Sequence, residues 1–223
     1  HVENADRLRA MEVLSSAADP NYADPDDGLT PLLAAASNGQ LSMVRALRRA
    51  RADLNKDGAG GITALWLASR NGHARIVQWL CLKGADVQQT EQNGVSPLLI
   101  SSWRDNLEVV QCLCQARATL EHRDRRGVTA LWIAARHGSA HAVQYLCELR
   151  ADVTVANNKD VTALWAASSA GHAAVVEELL ANGAGDDRQD RQGSLQAALE
   201  NEHDEVAQLL RSKRMRPQIA DIL

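Results

Sequence analysis

The sequence repeats itself every 33 residues, and this period constrains the fold more than any other feature. The letters "TALW" occupy 63–66, 129–132 and 162–165, while the related "TPLL" and "SPLL" occupy 30–33 and 96–99. A fixed period of this length is typical of an array of similar units, each burying its apolar face against its neighbours. We therefore predict one elongated repeat domain, although a chain of 223 residues is also long enough for a single globular core.

Each repeat carries the signals of two helices separated from the next repeat by a polar finger. A hydroxyl residue before the first apolar run predicts an N-cap at Thr30, Thr63, Ser96, Thr129 and Thr162. Glycines that follow this run predict the end of the first helix at Gly39, Gly72, Gly138 and Gly171. A second helix with one broad apolar face comes next, as in "VVQCLCQA" at 109–116.

The stretch "GITALWLASRNGHARIVQWLCLKGAD" at 61–86 closely resembles the ankyrin repeat, and four further stretches resemble it nearly as well. The resemblance implies an all-α fold, an ankyrin-repeat α-solenoid of antiparallel helix pairs with projecting β-turn fingers. We predict five full repeats at 25–189, between a partial N-terminal capping repeat at 1–24 and a degenerate C-terminal capping repeat at 190–212. A tail at 213–223 leaves the pattern.

Two departures from the family pattern concern framework positions. Tryptophan replaces the usual histidine at Trp66, Trp132 and Trp165. We interpret these indoles as structural, filling the seam between helices and fingers, because a large aromatic side chain contributes apolar area. Arginine replaces the glycine that caps the second helix at Arg51, Arg117 and Arg150. A left-handed residue other than glycine costs about 1–2 kcal/mol, so we expect these three helices to end differently.

Little in the sequence points to catalysis, a metal or a cofactor, and we predict that the chain is not an enzyme. His137 and His141 are four residues apart, but Gly138 interrupts the helix between them. The cysteines are predicted to be free thiols, which favours a reducing, intracellular and cytoplasmic location. An organelle stays open if His1 at the start reflects a removed leader, and no apolar run is long enough to span a membrane.

The columns that vary between repeats lie at the finger tips and at the ends of the first helices, where the family's partners usually bind along a concave face. In the central repeats these positions are basic and include one tryptophan: Arg70, Trp103, Arg104, Arg123, Arg125, Arg126, Arg136 and His137. Tryptophan and arginine are common anchors of protein interfaces, so we predict a protein partner with an acidic, partly apolar segment. In the alternative interpretation the arginines are a solvated face and Trp103 packs back onto Leu107.

The predicted function is that of a non-catalytic protein–protein interaction module, an adaptor or a subunit of a larger assembly. One alternative is the regulatory ankyrin domain of a longer enzyme or signalling protein. Another is a basic groove for nucleic acid or an anionic surface, against which the net charge of −4 and the acidic first finger argue; that finger carries Asp24, Asp26, Asp27 and Asp57. A basic tail from Arg211 to Arg216 and a second contact near Trp79, Cys112 and Tyr145 also stay open.

Overall fold

The computed structural model describes residues 19–25, 28–185 and 188–212. These residues form twelve α-helices and one short 3-10 helix and contain no β-strand. Within them, no helix combines the length and the apolar surface that a membrane span requires. The chain divides between Thr119 and Leu120 into two compact units. Most of the predicted partial repeat at 1–24 and all of the tail at 213–223 lie outside the described residues.

The first unit contains three helix pairs. These are α1 (Pro31–Ser37) with α2 (Leu41–Arg49), α3 (Ala64–Arg70) with α4 (Ala74–Leu82), and α5 (Pro97–Trp103) with α6 (Leu107–Gln115). The first helices α1, α3 and α5 pack against one another in sequence order, and the second helices α2, α4 and α6 do the same. The 3-10 helix Ala59–Gly61 lies in the finger before α3.

The second unit repeats the arrangement with three more pairs. These are α7 (Ala130–His137) with α8 (Ala140–Glu148), α9 (Ala163–Ala170) with α10 (Ala173–Ala181), and α11 (Arg188–Glu200) with α12 (Asp204–Ser212). Again α7, α9 and α11 form one layer and α8, α10 and α12 the other. The last pair packs onto α9 and α10 as the earlier pairs pack onto each other, although its sequence has lost much of the repeat pattern.

The predicted helix starts and the register of the core are confirmed. Each hydroxyl of the N-cap column accepts a backbone N–H three residues later, at 3.1 to 3.3 Å. The valine and leucine columns of the second helices are completely buried, each member being 0% exposed: Val44, Val77, Val110, Val143, Val176, Leu47, Leu80, Leu113, Leu146 and Leu179. Equal spacing in the sequence therefore becomes equal burial in the fold.

The prediction that the second helix ends differently at its arginines is wrong. Arg51, Arg117 and Arg150 are left-handed, with φ of 69°, 64° and 67°. In each case the residue after the arginine is an alanine that donates its N–H to the carbonyl five residues earlier, as Ala52 does to Leu47 at 3.0 Å. Ala85 makes the same bond to Leu80 after Gly84. The buried alanine column requires the same turn in every repeat, so the arginines accept the unfavourable conformation.

We predict that Arg117→Gly stabilises the protein by about 1 kcal/mol, because glycine adopts a positive φ without steric cost. The matched change is Gly84→Ala, at φ 87° in the same column, where an added Cβ has no atom within 4 Å. That change should destabilise by about 1 kcal/mol through backbone strain alone. Urea unfolding followed by circular dichroism measures both. Loss of stability in Arg117→Gly would contradict the strain argument.

Candidate functional site

Three of the eight predicted binding residues, Arg123, Arg125 and Arg126, lie in or beside a finger that is closed by short-range hydrogen bonds. In the finger 124–128, Asp124 N–H donates to Val128 O at 3.1 Å and Gly127 N–H donates to Asp124 O at 2.8 Å. The Asp124 carboxylate also accepts the N–H groups of Arg126 at 2.9 Å and Val128 at 3.0 Å. Glu91 and Asn157 do the same in their own fingers. These bonds fix the backbone that presents the finger tips.

Neighbouring fingers are tied to each other within each unit. In the first unit, Gln92 N–H donates to Gly60 O at 2.7 Å. In the second, Asn158 donates its backbone N–H to Arg126 O at 3.0 Å and its side-chain Nδ2–H to Arg125 O at 2.9 Å. The finger tips are therefore held at a fixed spacing rather than as independent loops.

Two of the eight predicted site residues hold the fingers together. Arg123 donates through Nη2 to Ala156 O at 2.7 Å and through Nε to Gly127 O at 3.2 Å. Arg126 binds Asp124 Oδ2 through both Nε and Nη2 at 2.9 Å, with side chains 65% and 2% exposed respectively. Arg126 thus pairs a buried carboxylate, and its removal would leave that charge without its cation.

Three further predicted residues of the second unit, Arg125, Arg136 and His137, are exposed. The guanidinium groups of Arg125 and Arg136 make no hydrogen bond or ion pair with any residue in the described ranges. Arg136 contributes its carbonyl oxygen, which accepts His172 Nε2–H at 3.2 Å. Partial burial lowers the pKa of His137, as do the nearby Arg136 and His172. His137 is therefore neutral at pH 7.

The remaining three predicted residues lie in the first unit, at the ends of two neighbouring first helices. Arg70 ends α3 and places its guanidinium carbon 5.3 Å from the centre of the Trp66 ring. Trp103 ends α5 with 45% of its surface exposed, and the Arg104 guanidinium carbon lies 5.8 Å from its ring centre. Each helix end thus combines a cation with an indole face, which is an attractive geometry. The indole of Trp103 is half exposed rather than packed away.

The acidic first finger is described only in part. Asp57 is exposed and Asp24 is half-buried. Asp24 accepts the Gly28 N–H at its backbone oxygen, at 2.7 Å. Asp26 and Asp27, which the sequence analysis placed in this finger, lie outside the described residues.

Two of the three framework tryptophans, Trp66 and Trp132, tie a first helix to the following finger, as a structural role requires. Trp66 is 8% exposed and donates its indole N–H to Val95 O in the next finger at 3.0 Å. Trp132 donates in the same way to Val161 O at 2.9 Å. The hydrogen bond to the following finger is a contribution of these indoles beyond the apolar area predicted from the sequence.

A second set of side chains ties each first helix to the next repeat. His73 Nε2–H donates to Ser37 O at 2.9 Å, and His203 Nε2–H donates to Ser169 O at 3.2 Å. Asn106 takes this position in the third repeat and donates to Ser69 O at 3.3 Å. A carbonyl oxygen can only accept, so these histidine nitrogens carry the proton.

The cysteines do not have the properties of nucleophiles. Burial raises the pKa of Cys81, Cys114 and Cys147 to about 11, and a neighbouring carboxylate, Glu178, adds to the shift at Cys147. A reactive thiol needs the opposite shift, because the thiolate is the attacking species. All four cysteines are free, and the described residues contain no group of three His, Cys, Asp or Glu side chains that could hold a metal ion.

A second basic cluster, which the sequence analysis did not single out, lies on the second helices of the first unit. A groove of about 460 Å³ is lined by Arg45, Arg48, Arg49, Trp79 and Lys83. The signal was the segment "RALRR" at 45–49, which stands outside the finger and first-helix columns where partners were expected.

The helix pairs, fingers and repeated ties define an all-α repeat solenoid. A family model for ankyrin repeats (3 copies) matches residues 2–91 and 82–157, and the single ankyrin repeat model matches 159–191. The chain therefore belongs to the ankyrin repeat family, as predicted. Ankyrin repeats are in general protein-interaction modules and are typically non-catalytic. No curated protein matches the chain.

We predict that Trp132→Ala destabilises the second unit by roughly 3–5 kcal/mol, because it removes a large side chain from the seam between helix and finger. Trp132→Phe should cost less, about 1–2 kcal/mol, because it keeps an aromatic ring but leaves Val161 O without its donor. Urea unfolding of both variants gives the comparison. Trp103→Ala is the control, and it should change stability by less than about 0.5 kcal/mol because its ring is half exposed. An unshifted Trp132→Ala transition would contradict the structural assignment.

We predict that the cysteines react slowly with a thiol-specific reagent near neutral pH. In the folded protein the modification rate of Cys81, Cys114 and Cys147 should rise with a midpoint near their raised pKa of about 11. In the unfolded chain it should rise near the ordinary thiol value of about 8.5. Because unfolding favours the thiolate, stability should fall as pH rises between these two values. Fast modification of Cys81, Cys114 or Cys147 in the folded protein at pH 8 would contradict this assignment.

Proposed function

We propose that the protein is a non-catalytic interaction module, an adaptor or a subunit of a larger assembly. It binds a protein partner with the finger tips and with the exposed ends of the first helices. The observation that carries this proposal is the half-exposed indole of Trp103 with the Arg104 guanidinium over its ring. Trp66, in the framework column one repeat earlier, is by contrast only 8% exposed.

The first unit supports an anchor of mixed character at this position. Burial of the Trp103 ring against a partner would remove a large apolar surface from water, which is how tryptophan contributes to binding. Arg104 lies against the same ring and would meet a carboxylate at the edge of that contact. Arg70, one repeat earlier, packs on Trp66 and adds a second cation at the equivalent helix end.

The second unit supports an acidic partner through two available guanidinium groups. Arg125 lies at a finger tip and Arg136 at the end of α7, and both are exposed without an ion pair among the described residues. A guanidinium binds a carboxylate through two parallel hydrogen bonds, so either residue fits an Asp or Glu side chain. Arg123 and Arg126 contribute positive potential while holding the finger in place.

A pull-down from the native source tests the proposal with Trp103→Ala for the first unit and Arg125→Glu/Arg136→Glu for the second. Arg126 is left unchanged because its removal would leave the buried Asp124 carboxylate without its cation. We expect a protein recovered with the unchanged chain to be lost or reduced at least about tenfold with each variant, which corresponds to roughly 1.4 kcal/mol or more. Quantitative mass spectrometry measures the recovery.

The matched control is Arg75→Glu/Arg211→Glu, which reverses the same number of exposed positive charges away from the fingers and first helices. Recovery of the partner should be unchanged with this control. Equal recovery with all variants would contradict the assignment of the binding face. Equal loss of the partner with the control would show that net charge alone, and not the proposed face, accounts for binding.

A further inference from the structure

We infer that the groove between α2 and α4 binds a compact, soluble anion that carries several phosphate groups. The groove has a volume of about 460 Å³, and its lining comprises Arg45, Arg48 and Arg49 of α2 with Trp79 and Lys83 of the α4 region. This volume lies within the range of small-molecule sites. The groove belongs entirely to the first unit and is separate from the face proposed for the protein partner.

The chemistry of the lining points to the kind of ligand. Among the described residues, every polar side chain that lines the groove is a donor: three guanidinium groups, one ammonium and one indole N–H. A peptide presents backbone donors as well as acceptors, and the side chains of this groove offer no acceptor for the donors. A phosphate group presents only acceptors and negative charge at neutral pH, and arginine matches it through paired hydrogen bonds.

The cations of the groove make no ion pair within the part of the chain that the structure describes. Arg45, Arg48, Arg49 and Lys83 are exposed, and none of them makes an ion pair with a residue in the described ranges. Arg45 and Arg49 are four residues apart on one helix face, where like charges repel and destabilise the helix. A smaller hollow of about 180 Å³ adjoins the groove, is lined in part by Arg48, Arg51 and Lys83, and contains one carboxylate, Asp53. An anion bound in the groove would relieve the repulsion between Arg45 and Arg49.

The repeat register shows that the cluster is a local departure from the array. At the position of Arg45 the later repeats have glutamine or glutamate: Gln78, Gln111, Gln144 and Glu177. At the position of Arg48 they have Cys81, Cys114, Cys147 and Leu180. The second helices therefore do not carry arginine as a general solvent-facing residue, and the positive charge is concentrated where the groove lies.

Half-buried Trp79 gives the groove an apolar wall and an optical signal. Its ring would contact the carbon framework of a ligand whose phosphates bind the surrounding cations. Binding beside this ring should change its fluorescence, and Trp79→Leu should remove that change while keeping an apolar side chain. The second contact near Trp79, which stays open from the sequence alone, is thereby assigned to a ligand that carries phosphate groups.

Isothermal titration of the full chain with myo-inositol hexakisphosphate, at low and at physiological salt, tests the proposal. We expect binding that weakens as salt rises, because phosphate contacts displace counterions. Arg45→Gln/Arg49→Gln should weaken binding by about tenfold or more, since two charge-assisted contacts are lost. Both residues are exposed, so a melting curve should confirm that the variant folds.

The control Lys159→Gln/Arg211→Gln removes the same number of positive charges from exposed positions in the second unit and should bind like the unchanged chain. Absence of binding to the unchanged chain at low salt would overturn the proposal, as would equal weakening in the control. Equally tight binding of poly-glutamate would overturn the preference for phosphate. Binding only to phosphatidylcholine vesicles that contain a phosphoinositide would replace the soluble ligand with a membrane.

Discussion

The structure depends on the burial of each helix pair against the next pair. A single pair leaves its apolar face uncovered, so the chain gains stability only when neighbouring repeats present the same side chains at the same height. The complete burial of the valine and leucine columns shows that this condition is met in both units. The requirement for one register also explains why Arg51, Arg117 and Arg150 adopt a conformation that arginine disfavours. A helix that ended differently would move the next alanine out of the core.

Hydrogen bonds between repeats supplement this packing with a defined geometry. Indole N–H groups and histidine or asparagine side chains each donate to a backbone carbonyl of an adjacent repeat. Side-chain oxygens in the turns also accept backbone N–H groups of the following repeat. Asn55 accepts the N–H of Asp86 at 2.8 Å, and Glu121 accepts the N–H of Asp152 at 2.9 Å. Such bonds satisfy backbone groups that would otherwise be unpaired in the turns. They also fix the spacing of the finger tips.

Most of the helical framework could be predicted from the sequence, because a residue type that recurs at the same position of every repeat indicates a structural requirement at that position. The hydroxyl N-caps and the apolar columns each recur five times, which excludes chance agreement. The conformation of the capping arginines could not be predicted from local conformational cost, because the tertiary register overrides that cost. The roles of Arg123 and Arg126 could not be predicted, since their partners Ala156 O and Asp124 Oδ2 depend on how the fingers meet.

Side chains of one type therefore have different roles according to their column. Arg117 and Arg150 occupy a capping position, and Arg123 and Arg126 stabilise fingers. Arg125 and Arg136 of the second unit have no ion pair among the described residues, and the same is true of Arg45 and Arg49 on α2 of the first unit. A positive charge that makes no ion pair destabilises the fold by repulsion from its neighbours, and no attraction offsets that repulsion. Both proposals above therefore place partners of negative charge at arginines that make no ion pair within the described ranges.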